Sequence, residues 1–118
     1  MSSLITSRPF PLGLIKPTPG SPVDIFQNYP ALRDDDFLVN ALVFTTHPDN
    51  VGLVFLGGPT MNAGTDSGVI IVLSGPSARF QMGDKGTETI GINSMDVRPL
   101  RLDVELAGEG VFVDMSVR

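Results

Sequence analysis

The cleanest hydrophobic pattern lies at the end of the chain. In residues 100–106, Leu100, Leu102, Val104 and Leu106 alternate with Arg101, Asp103 and Glu105. In residues 111–117, Val111, Val113, Met115 and Val117 alternate with Phe112, Asp114 and Ser116. Alternation with period two places one face inward and one outward. The Gly-containing AGEG between the two runs predicts a half-buried antiparallel hairpin. Upstream, residues 37–46 (FLVNALVFTT) are rich in β-branched and aromatic side chains and predict a strand. HPDN at 47–50 predicts a turn, because Pro fixes φ and Asp and Asn bond their own backbone. Residues 51–56 then return as the partner in a second hairpin. Residues 69–73 (VIIVL) form a continuous apolar run, the mark of a strand buried on both faces. Shorter strands are predicted at 23–27, 78–82 and 89–92, with one helical turn over 31–35.

These runs make about eight to nine short strands at turn-to-turn spacings of roughly 8–12 residues, with no convincing long helix. The expected fold is all-β, an antiparallel β-sandwich of jelly-roll-like form. Residues 1–22 stand apart. Pro9, Pro11, Pro17, Pro19 and Pro22 lack the amide donor and hold φ near one value, which excludes a helix or a central strand. We expect an extended proline-rich N-terminal arm over 1–22, with a short strand at 13–16, and a β domain over 23–118. Phe10, Leu12, Leu14 and Ile15 make the arm too apolar for a solvated tail. It packs on its own domain or on a neighbour.

Glycines invite a different reading of residues 52–77, GLVFLGGPTMNAGTDSGVIIVLSGPS. A phosphate loop needs a Lys after its last glycine and a helix that begins there. Here Gly57 and Gly58 precede Pro59, no Lys occurs between them and Ser77, and a strand pattern follows Gly68. The segment is expected to be a long exposed connection between core strands, with Met61 and Asn62 at its tip. GDKGTE at 83–88 holds a Lys but lies between short strands and reads as a surface turn.

Composition narrows the chemistry. With 118 residues the chain is one domain, large enough for a core of its own. It has no Cys, one His and no Trp. Disulfides and thiolate metal sites are excluded, and a catalytic zinc wants two or more His or Cys ligands. His47, the single histidine, reads as a turn residue. Asp34, Asp35 and Asp36 are adjacent, whereas calcium loops alternate their ligands, so they read as an acidic loop. Asp103, Glu105 and Asp114 are expected to share the outer face of the last hairpin with Arg101, as a polar strand face. No catalytic, cofactor-binding or metal-binding residue is assigned, and no cofactor is expected. Lys and Arg total 8 and are dispersed in a chain of net charge −5, which disfavours nucleic acid. The apolar runs are shorter than the roughly 20 residues of a membrane-spanning helix, and no signal-peptide pattern opens the chain. The charged fraction, 18%, falls below the roughly 25% of typical soluble domains. Part of the surface is therefore expected to be hidden against other subunits.

Residues 37–118 resemble small β-sandwich proteins in the virions of tailed bacteriophages. The resemblance rests on Asn50, Gly52, Gly57, Gly68, Leu73 and Gly75, on the short strand near 88–93, and on LRLDVELAGEGVFVDMSV at 100–117. SGPS at 74–77 departs from the usual Pro-Gly turn, and the proline-rich arm lies outside the pattern. The resemblance implies a virion protein without enzymatic activity. Its first form is a head decoration (cement) protein on the capsid surface, partnered by the major capsid protein and by itself as a homotrimer, and assembled in the host cytoplasm. Alternatives are a tail, baseplate or receptor-binding module, or a small jelly-roll carbohydrate-binding protein. Phe10, Leu12, Leu14, Ile15, Met61 and Asn62 are the expected contacts to neighbouring subunits.

Overall fold

The computed structural model describes residues 8–35, 39–65, 67–83 and 96–117. Among them the chain is all-β, with two antiparallel sheets. The seven strands are β1 (Arg8–Ile15), β2 (Val39–Thr46), β3 (Leu53–Asn62), β4 (Ser67–Ser74), β5 (Arg79–Gly83), β6 (Arg101–Val104) and β7 (Val111–Val117). One sheet has the order β1-β7-β2-β5 and the other β4-β3-β6. The helical turn expected near 31–35 is a 3-10 turn at Pro30–Asp34, and a second occupies Ala63–Thr65. The strand expected at 89–92 lies outside the described residues.

One apolar cluster joins the sheets. Leu42, Phe44, Val113 and Met115 come from the four-stranded sheet, and Val54, Leu56, Leu102 and Val104 from the three-stranded one. β2 sits between β7 and β5, and all its residues except Thr45 are buried. Its β-branched and aromatic side chains suit a pleated surface with neighbours on both sides.

The two expected hairpins do not form. β2 and β3 lie in different sheets, and so do β6 and β7. Alternation reveals which face of a strand is apolar, but it does not choose the strand's partner. Three connections instead cross from sheet to sheet at one end and clasp one another. The His47 amide donates to the Gly110 carbonyl at 3.0 Å. Asn50 donates through Nδ2 to the same carbonyl at 2.8 Å and accepts from the Gly110 amide at 3.2 Å. Glu109 takes the Val51 and Gly52 amides at 2.7 and 2.9 Å. Thr46 Oγ1 donates to the Gly75 carbonyl and accepts from the Ala78 amide. Each bond satisfies a backbone group that the crossing removes from a ladder.

β1 belongs to the four-stranded sheet, paired with β7 from Arg8↔Val117 to Ile15↔Val111. It lies at the edge, where Pro9 and Pro11 leave no inner ladder bond unmade. The register shifts between Pro11 and Gly13. Gly13 has φ +86°, and the Asn28 amide bridges the Leu12 and Leu14 carbonyls beside it at 2.9 and 3.0 Å. Residues 23–27 are not a strand. Val23 makes a single bridge to Leu102, and the chain then turns so that Ile25 and Phe26 enter the core. Asp24 shapes that turn by accepting the Phe26 amide at 3.1 Å.

Arg33 pins the same carboxylate, with Nε to Oδ2 at 2.6 Å and a second bond at 3.0 Å. Burial pushes the Asp24 carboxyl up, but the bonds from Arg33, Gln27 and the Phe26 amide outweigh it and hold the group below its ordinary value. Stability from this site is complete above the unfolded carboxylate pKa of about 3.9 and is lost as pH falls through the lower folded value. Asp24→Asn should therefore be less stable at neutral pH and show a flatter loss of stability below about pH 4. Denaturant titrations at stepped pH would read this; parallel acid limbs would refute it.

Candidate interaction surface

The six residues expected at subunit contacts separate into two groups. Leu12 and Ile15 point from β1 into the core at 0% and 2% exposure, and Met61 is also buried. In this conformation they serve the chain's own packing. For the arm, the register shift between Pro11 and Gly13 breaks the alternation of β1, so that Leu12 and Ile15, three positions apart, both close the apolar cluster. Phe10 and Leu14 remain half-buried. Phe10 packs edge-on against the exposed Tyr29, with ring centroids 5.6 Å apart. Asn62 is exposed, and its Oδ1 accepts the Gly64 amide at 3.0 Å.

The long exposed connection expected after Gly57 is shorter than predicted, because β3 runs on to Asn62. Its register against β4 jumps between Gly57↔Val69 and Asn62↔Ser67, so residues 58–61 bulge. Met61 folds back over Gly57. A side chain at Gly57 would collide with the Gly68 carbonyl and the Met61 thioether. The glycine admits this close approach, and no bound anion is needed to explain it.

β4 departs furthest from expectation. It is an edge strand, and its burial alternates. Leu73 is buried, whereas Ile70 and Val72 are 56% and 49% exposed. Phe55, directly opposite Val72 on β3, is half-buried on the same side. Sequence reasoning missed Ile70 and Val72. A uniformly apolar run resembles a strand buried on both faces, whereas among the described residues β4 has a single neighbour. Further exposed apolar side chains lie at the crossing end: Val51, Leu106 and Phe112.

Many polar groups that looked available for chemistry are occupied by the backbone. Asp103 is buried, and accepts from the Gly20 and Val104 amides. Glu105 accepts the Leu53 amide at 3.1 Å. Asp103 and Asp114 belong to different sheets, so the shared carboxylate face expected for the last two strands does not exist. His47 stacks on Phe112 at 5.7 Å, and its Nδ1 accepts the Asp49 amide. Among the described residues, no group of three or more His, Asp or Glu side chains is placed to hold a metal ion, and no helix is long and apolar enough to cross a membrane. An open cleft of about 470 Å³ runs over Leu14 and Ile15, beside Lys16, Gln27 and Asn28. Two of its polar side chains are turned away to Asp24 and to backbone carbonyls.

No protein-family model, curated protein or solved structure matches this chain.

Proposed function

We propose that this chain is a structural protein that works by contact with other subunits and catalyses no reaction. Following the resemblance of residues 37–118 to phage virion proteins, its role is that of a head decoration protein. It would bind the outer face of the capsid, on the major capsid protein, and strengthen the shell without covalent links. In this reading the two sheets are the layers of a β-sandwich of jelly-roll type.

The observation that carries the proposal is the apolar edge at β4, where Ile70 and Val72 are exposed on a strand with one neighbour among the described residues. An apolar surface on an open sheet edge favours association. Phe10, Leu14 and Asn62 remain accessible among the residues expected at contacts.

The test is to mix the purified protein with undecorated capsids encoded by the same genome. Stoichiometric binding and a rise in the melting temperature of the shell are expected. Cryo-electron microscopy of the intact particle would locate the subunit. A position on the tail or baseplate, or failure to bind capsids, would overturn the decoration reading.

A further inference from the structure

The described strands offer four outer edges, and three are shielded. β1 carries Arg8, Pro9 and Pro11. β6 is met by Val23, which exchanges two backbone bonds with Leu102 at 3.0 and 2.7 Å. β5 is five residues long and presents Arg79 and Gln81 outward. Charge, proline, brevity and cover are the usual devices that keep sheet edges from pairing. β4 has neither charge nor proline and, among the described residues, no cover: Ser67–Ser74 reads SGVIIVLS, with a register shift against β3 that leaves Ile70 as a bulge.

We propose that β4 is an association edge, and that its occupant is a second copy of this chain, paired antiparallel about a two-fold axis at Ile71. The inference rests on the reading of the chain as an assembling protein, and it names the partner of that surface. The strand is nearly palindromic in residue class about Ile71. Ile70 would lie opposite the second copy's Val72, Val69 opposite its Leu73, and Gly68 opposite its Ser74. The exposed Ile70 and Val72 then meet exposed partners and the half-buried Val69 meets the buried Leu73, with the bulge at Ile70 a break in the ladder. The four exposed side chains, two Ile70 and two Val72, form one apolar patch. A chain of net charge −5 repels its copy, but this strand brings no charge into the contact. The two-fold arrangement also consumes the open edge of both copies, so it closes as a discrete dimer. Pairing joins the two three-stranded sheets into one of six strands. The contact spans about 27 Å of strand. A single strand pair is a small interface, so the dimer is expected to be weak and reversible.

Sedimentation velocity over a concentration series tests this, without capsids. The wild type should pass from monomer to dimer as concentration rises. I70K/V72K places lysines opposite one another at exposed positions. It should keep the wild-type circular dichroism and weaken the dimer by about tenfold or more. The chain has no cysteine, so I71C gives a second readout. Mild oxidation should link it into a covalent dimer, because directly paired strand residues lie within disulfide reach. A single cysteine introduced at Gln81 on β5 should not be linked. A wild type monomeric at every concentration, a dimer unaffected by I70K/V72K, or I71C that stays uncoupled would overturn the proposal. A closed trimer would also overturn it, and would leave the decoration reading standing. Loss of capsid binding by a protein that still dimerises would do the reverse.

Discussion

Replacing Leu12 with alanine is expected to lower the unfolding free energy by about 2–5 kcal/mol, while Leu14→Ala should cost well under half as much. Both residues lie in the proline-rich stretch, two positions apart, in a segment whose sequence predicts an extended arm. The structure distinguishes them. Leu12 is fully buried among residues of both sheets, and Leu14 is half-buried at the surface. Truncation at Leu12 removes apolar contacts and leaves a cavity that the surrounding sheets can only partly close. A domain of this size has about 5–15 kcal/mol to lose, so the variant should unfold at a much lower urea concentration. Equal small losses at both positions would mean that β1 does not close the core in solution. The same reasoning applies to deletion of the arm. Removing residues 8–15 takes away an edge strand as well as Leu12 and Ile15, so a deletion would test folding before it tested any contact with a neighbour.

The chain's β class and most strand positions are legible in its sequence, because period-two alternation and turn residues are local signals. Partner choice is not local. The alternating faces of residues 100–106 and 111–117 suit a hairpin as well as they suit two strands in separate sheets. The bonds that decide between these lie between Asn50 and Gly110, sixty positions apart. VIIVL carries a similar ambiguity: an apolar run describes a core strand, or an edge strand that awaits a partner. Gly57 illustrates a third limit. The sequence shows that a glycine is there, but the reason for it is the return of Met61 and Gly68 across it. Among the residues expected at contacts, exposure separates Phe10, Leu14 and Asn62 from Leu12, Ile15 and Met61. For the four arm residues, all apolar, side-chain chemistry alone does not make that separation.

Asp103→Ala is expected to cost about 2–3 kcal/mol, an unusual penalty for an acidic residue in an alternating strand. Alternation correctly gives Asp103 the face opposite to Leu102 and Val104. It is silent on what crosses that face. The segment after β1 does so: the Gly20 amide donates to both carboxylate oxygens at 3.2 and 3.3 Å, and the Val104 amide donates at 2.8 Å. The side chain is left 2% exposed. A buried carboxylate persists where donors replace its lost water, and here two amides do so. Alanine would strand both amides and release the segment that Val23 anchors on β6. The loss should have two parts. Urea unfolding would report the global cost. Hydrogen exchange would show the Gly20 amide losing protection more than the Phe44 amide in the centre of β2. Asp103→Asn keeps one acceptor oxygen and should recover part of both effects. If Asp103→Ala left exchange at Gly20 unchanged, the carboxylate would not be what holds this segment on the sheet. Its burial would then have to come from the packing of residues 17–22 alone.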